Sequence, residues 1–217
     1  MNLVFLGPPG AGKGTQAKRV AEAKQLVHLA TGDLLRAAIK DATPLGLEAK
    51  SYMDRGSLVP DELVLRIVDA TLAALPVSQG VLFDGFPRTV AQAEGLAAML
   101  AARGRKIDRV VFFDIHDAHL IRRATGRRTC AVCGRPYHLE FQPPRVAGRC
   151  DDDGGELVQR SDDSAETMTR RIGAYQGDTA KLLPYYESRG LLARIDAAAQ
   201  IEDVARALAG VVRGEDG

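Results

Sequence analysis

The chain has almost no net charge: 29 Lys and Arg stand against 28 Asp and Glu in 217 residues. Near neutrality argues against the broad basic field that draws a protein to nucleic acid, and no pattern of interleaved basic and aromatic residues takes its place. No apolar run approaches the length of a membrane span. The opening Met1-Asn2-Leu3-Val4-Phe5-Leu6-Gly7 is short for a signal peptide, lacks its charged lead and runs straight into a motif, so it reads as part of the fold. Cysteine is scarce. Three residues, an odd number, fall between Cys130 and Cys150, which argues against a secreted disulfide framework and for a cytoplasmic protein with metal as the first suspicion. There is no internal repeat and no low-complexity segment.

What is present reads as one α/β domain with insertions. Short apolar runs predict buried parallel strands at Leu3 to Leu6, Val81 to Asp84, Val110 to Asp114 and Leu191 to Ile195, with a shorter candidate at Val27 to Ala30. Helical patterns cover Lys13 to Ala23, Asp33 to Lys40, Asp61 to Ala74, Val90 to Ala102, Ala165 to Glu187 and Ile201 to Val212, and the tail Arg213 to Gly217 is expected to fray. Such alternation predicts a parallel sheet flanked by helices, with ligands at the carboxyl ends of its strands, where Gly7, Asp84 and Asp114 fall. Thr31 to Val59 is a small helical excursion. Gly126 to Asp163, rich in Gly, Pro, Cys, Arg and Asp, reads as an inserted turn-rich subdomain.

Gly7-Pro8-Pro9-Gly10-Ala11-Gly12-Lys13-Gly14-Thr15 follows a strand and opens a helix, the setting a phosphate-binding P-loop requires. Its glycines let backbone N–H groups curl around phosphate oxygens, the helix N-terminus adds partial positive charge, and Lys13 adds a full one. The strict pattern places Ser or Thr directly after the lysine; here Gly14 intervenes before Thr15. Farther on, Cys130 and Cys133 form a two-residue chelate whose spacing Cys150 and Asp153 repeat with a carboxylate in last place. Three thiolates and a carboxylate suit a closed tetrahedral zinc site, and an insertion too small to bury much core gains most from such a staple. Asp151, Asp152 and His138 compete for the fourth position.

The loop, with glycine after the lysine, resembles that of the adenylate kinases and related nucleoside monophosphate kinases. Thr31-Gly32-Asp33-Leu34-Leu35-Arg36, Gly56-Ser57-Leu58-Val59-Pro60, Phe83-Asp84-Gly85-Phe86-Pro87-Arg88-Thr89 with Gln92, Gly126-Arg127-Arg128 and Arg160-Ser161-Asp162-Asp163 follow in the family's order and span nearly the whole chain. The resemblance implies a core of residues 1–29, 60–125 and 164–217, an AMP-binding subdomain at 30–59 and a zinc-bearing lid at 126–163. It implies a monomer that transfers phosphoryl from Mg-ATP to AMP, giving two ADP. Gly10, Ala11, Gly12, Lys13, Gly14, Thr15, Arg123, Arg127, Pro136, Tyr137 and Ala199 would hold ATP. Thr31, Arg36, Ser57, Leu58, Val59, Gly85, Phe86, Arg88, Gln92, Arg160 and Arg171 would hold AMP. Lys13, Arg88, Arg123, Arg160 and Arg171 would be catalytic, and Asp84 would organise Mg²⁺ through water. Thr31 has a second reading as the N-cap of a helix starting near Asp33. The family often has Asp-Gly where this chain has Asp196-Ala197. Zinc-bearing members have this cysteine spacing with Asp as fourth ligand; other members place a metal-free polar network there. A UMP- or CMP-accepting or GTP-using relative, and a zinc-stapled P-loop ATPase, are the rival functions.

Overall fold

The computed structural model describes residues 1–214, so of the tail expected to fray, residues 215–217 lie outside the described residues. The elements run β1 (Asn2–Leu6), α1 (Lys13–Lys24), β2 (Val27–Ala30), α2 (Thr31–Lys40), α3 (Pro44–Asp54), α4 (Asp61–Ala73), β3 (Val81–Asp84), α5 (Val90–Ala101), β4 (Arg109–Asp114), α6 (Asp117–Thr125), β5 (Arg127–Cys130), β6 (Pro136–His138), β7 (Leu157–Val158), α7 (Ala165–Gly177), α8 (Leu182–Glu187), β8 (Leu192–Asp196) and α9 (Ile201–Arg213). The main sheet has the order β2-β3-β1-β4-β8, and every neighbouring pair is parallel.

Side chains alternate between the two faces of a strand, so each strand feeds two cores. Val4, Leu6, Phe83, Val110 and Phe112 pack on one side against α4, α5 and α8 through Val68, Leu96, Leu100 and Tyr186. Leu3, Phe5, Leu82, Val111 and Phe113 pack on the other against α1, α6 and α9 through Ala17, Leu120, Val204 and Leu208. Residues buried on both faces explain the unbroken apolar runs of the central strands.

Two helical expectations change. The helix over Ala165 to Glu187 is interrupted: α7 ends at Gly177, a 3-10 turn covers Thr179–Lys181, and α8 restarts at Leu182. Pro184 has no N–H to donate and is tolerated only in a first helical turn, so a helix containing it must restart just before it. Helix α6, absent from the sequence pattern, fills the step between β4 and the insertion, with Leu120 and Ala124 fully buried. The helical excursion is an α2–α3 pair, in which Thr43 caps α3 by accepting from Gly46 N at 3.1 Å. The turn-rich insertion carries an antiparallel sheet of order β6-β5-β7. None of the helices searched among the described residues is long and apolar enough to cross a membrane.

Candidate active site

A cleft of about 560 Å³ opens at the carboxyl ends of β1, β2 and β3 and is roofed by the small sheet. The β1–α1 loop forms its floor. Gly7, Gly10 and Gly12 take φ of 147°, 88° and 90°, which curl the loop. Gly14 has a separate reason to be glycine: a Cβ there would lie 3.3 Å from Asp84 Oδ2. The missing side chain lets a carboxylate from the end of β3 approach the first turn of α1, and this accounts for the departure from the strict pattern. Asp84 Oδ2 also lies 3.2 Å from His28 Nε2 at the same end of the sheet. Asp114 ends β4 as expected but is exposed and lies outside the cleft.

Lys13 donates from Nζ to the carbonyls of Gly7 at 2.7 Å and Pro8 at 2.9 Å. Burial, with Arg88, Arg171 and Arg127 nearby, brings its pKa down from 10.5 to about 7 against the pull of Asp84. Arg36, Arg88, Arg123, Arg127, Arg160 and Arg171 line the same cleft, drawn from α2, the β3–α5 loop, α6, β5, the end of the insertion and α7. Desolvation depresses Arg160 to about 10, with Arg36 and Arg127 adding repulsion; it depresses Arg171 to about 10 against the attraction of Asp162. Arg88 is lowered by burial and then by Arg36. Desolvated like charges crowded this closely favour a polyanion among them.

Carboxylates hold the arginines apart. Arg36 pairs with Asp33 at 2.6 Å, Arg160 reaches Asp33 at 3.4 Å, and Arg171 pairs with Asp162 at 2.9 Å. Arg127 grips Asp163 through Nε and Nη2; burial opposes its charge, but this pair outweighs it and raises the pKa. Arg123 donates to the carbonyl of Ala197 at 2.7 Å, beside Ala199.

Beyond the arginines, Gly85, Ser57, Leu58 and Val59 line the cleft. A recess of about 20 Å³ adjoins it and is bounded by Thr31, Leu35, Leu58, Val59, Val64 and Gln92, among others. Thr31 is the first residue of α2 and not its N-cap; Ala30 holds that position, and the Thr31 hydroxyl instead donates to Gly85 O at 3.0 Å. The helix therefore starts two residues before the expected Asp33. Phe86, expected at the AMP site, is instead fully buried in the core near Phe83 and lines neither the cleft nor the recess, because its apolar ring packs inward. At the other end, Pro136 and Tyr137 line the cleft, and the Tyr137 hydroxyl accepts from Asp151 N at 2.7 Å. Phe141, exposed and close to the guanidiniums of Arg122 and Arg123, and His28 also line the cleft; the sequence reading singled out neither. A conspicuous aromatic inside an otherwise polar insertion was the available signal for Phe141.

Outside the cleft lining, Cys130, Cys133, Cys150 and Asp153 bring one ligand atom each to within 4.8 Å of one another, and the three cysteines are unpaired thiols. Asp151 accepts from Arg145 N at 2.8 Å, Asp152 pairs with Arg135, and His138 Nδ1 accepts from Glu140 N and Phe141 N. None of those three competitors joins the cluster, and the four clustered groups can hold a metal ion.

Comparison with known proteins agrees with this geometry. The family model described as adenylate kinase matches residues 5–191. The chain is 52% identical over 213 residues to an adenylate kinase of Paramagnetospirillum magneticum, with 98% of each chain covered. It is 49% identical over 217 residues to one of Geobacter sulfurreducens, covering the whole of both chains. It is 50% identical over 204 residues to one of Bacillus subtilis, covering 94% of each chain. With a P-loop on the floor of an arginine-lined cleft and relatives that match nearly the full length of the chain, this protein belongs to the adenylate kinase family.

Proposed function

We propose that the cleft carries the reaction of its family through the following residue roles. The enzyme is an ATP:AMP phosphotransferase: the terminal phosphoryl of ATP passes to AMP, giving two ADP. The observation that carries the assignment is the convergence of Lys13 and six arginines, from seven separate parts of the chain, on one cavity. The β1–α1 loop, from Gly10 to Thr15, holds the ATP phosphates, with Arg123 and Arg127 above them. Arg36 and Arg88 hold the AMP phosphate. Arg160 and Arg171 stabilise the group in transfer, as charge and positioning do for phosphoryl transfer in general. The acceptor phosphate has a second pKa near 6, so it is already ionised near neutral pH and no general base has to act on it. Asp84, held against the first turn of α1, would hold Mg²⁺ through water, and the ion would supply positive charge to the transferring phosphates.

The AMP base enters the recess between Thr31, Ser57 to Val59 and Gln92, with Gly85 at its edge. The ATP base lies between Arg123, Pro136, Tyr137 and Ala199. Residues 30–59 and 126–163 act as two covers on a core of 1–29, 60–125 and 164–217, and their closure excludes the water that would otherwise take the phosphoryl group. Cys130, Cys133, Cys150 and Asp153 hold zinc; four protein ligands leave no open position, and the cluster lies outside the cleft, so the ion acts as a staple. The enzyme works as a cytoplasmic monomer that balances adenine nucleotides.

A coupled assay tests the reading, with AMP, CMP, UMP and GMP as acceptors and ATP or GTP as donor. AMP with ATP is the expected fastest pair. A faster CMP or UMP reaction would overturn the acceptor assignment.

A further inference from the structure

We propose that Asp61 is a positioning residue for the acceptor base: its carboxylate fixes which way the Gln92 carboxamide faces. The proposal rests on the reading that Gln92 meets the AMP base. Asp61 is the first residue of α4, directly after the segment that closes the AMP side of the cleft. Its Oδ1 accepts from Gln92 Nε2 at 2.8 Å, and its Oδ2 accepts from the Thr89 hydroxyl at 2.8 Å. Gln92 Oε1 in turn accepts from the backbone N–H of Arg88 at 2.7 Å. Thr89 closes the loop as the N-cap of α5, accepting from Gln92 N at 3.1 Å.

An ionised carboxylate can only accept and a peptide N–H can only donate. Both ends of the carboxamide are thereby assigned: oxygen toward Arg88, nitrogen toward Asp61. One N–H and one lone pair of the amide remain. Gln92 is only 1% exposed, and it lines the recess with Thr31, Arg88 and the apolar side chains of Leu35, Leu58, Val59 and Val64. The Thr31 proton is committed to Gly85, so that hydroxyl offers the recess only lone pairs.

On the edge that carries N1, a carboxamide pairs with adenine by accepting from the exocyclic amine and donating to N1, which a 6-oxo purine replaces by a carbonyl and an N1–H. A base with a carbonyl in place of the amine needs the reverse order, which the same amide supplies when turned over. With Asp61 in place, turning over sets NH₂ against N–H at Arg88 and oxygen against carboxylate at Asp61. Asp61 thus makes one orientation of Gln92, and one class of base, the favoured one. It does so without touching the nucleotide.

The experiment compares wild type, Asp61→Ala, Asp61→Asn, Gln92→Leu and the Asp61→Ala/Gln92→Leu double variant, with AMP and inosine monophosphate as acceptors. For Asp61→Ala, KM for AMP should rise about tenfold while KM for ATP changes less than about twofold, and the preference for AMP over inosine monophosphate should fall about tenfold. Asp61→Asn keeps the size and one acceptor; it should give an intermediate loss of preference and provides the measurement if the alanine variant does not fold. In the double variant, removing Asp61 should cost no further selectivity beyond Gln92→Leu. If Gln92→Leu collapses the preference while both Asp61 variants keep it, losing only thermal stability, Asp61 is an ordinary helix-terminal acid and the proposal fails. If Gln92→Leu itself leaves KM for AMP and the preference unchanged, the placement of Gln92 at the base fails, and the proposal with it.

Discussion

Arg127 and Asp163 lie 36 residues apart in sequence and clasp across the base of the small-sheet insertion, with Nε donating to Oδ2 at 2.8 Å and Nη2 paired with Oδ1. One residue opens the insertion and the other ends it. Asp163 is fully buried, and Arg171 approaches the same carboxylate at 3.6 Å. Removing one member of a buried pair strands the other without compensation. Asp163→Ala should therefore lower unfolding free energy by about 3–5 kcal/mol, read from denaturant midpoints. An unchanged midpoint would show that the clasp carries no stability.

Lys13 gives a pH dependence whose sign follows from its burial. Its pKa is about 7 in the folded protein against an ordinary 10.5. Between these values the unfolded chain binds more protons, so Lys13 makes the empty protein more stable as pH rises through that window; below the lower value its full penalty is present. Phosphates beside Lys13 restore its charge, so binding takes up a proton above pH 7, and ATP affinity should fall by up to about tenfold per pH unit there. Calorimetry at pH 8.5 in buffers of different ionisation enthalpy should find close to one proton taken up per ATP, and Lys13→Met should remove most of it. Zero uptake by the wild type would contradict the shift.

The thiol cluster predicts a bound metal and says which acid holds it. Metal analysis should give about one zinc per chain, and chelation should lower the melting temperature by roughly 5 °C or more. Asp153→Ala should lose the metal. Asp152→Ala should keep it, because Asp152 is paired with Arg135 outside the cluster. Retention of zinc by the first variant and its loss by the second would exchange their roles.

Gly46 packs α3 against α2 so closely that a Cβ there would overlap the carbonyl of Ala38. Backbone cannot swing aside as a flexible side chain can. Gly46→Ala should cost about 2 kcal/mol. It should also raise KM for AMP more than KM for ATP, since α2 carries Thr31 and Arg36. Equal effects on both substrates would show that the α2–α3 pair does not bear on the AMP side alone.

Much of this arrangement was legible in the chain because its signals are local. Apolar runs at β1, β3 and β4, glycines at the phosphate loop and the paired cysteine spacing each depend on neighbours a few residues away. The break between α7 and α8 could have been read from Pro184, whose missing N–H dictates where a helix restarts. Helix α6 is short, and its buried positions become clear only once the sheet gives Leu120 and Ala124 something to pack against.

By itself, the amino-acid order determined a nucleotide-binding α/β sheet, a triphosphate loop with an unusual glycine, and a set of basic residues spread through motifs. Tertiary structure decided which carboxylate each arginine meets, that Gly14 yields space to Asp84, and that Asp61 holds Gln92 from 31 residues away. The physical reason is the range of the interactions. Backbone propensity and hydrophobic period act within a few residues, whereas a hydrogen bond or ion pair is decided by distances of a few ångströms between segments that only the completed fold brings together.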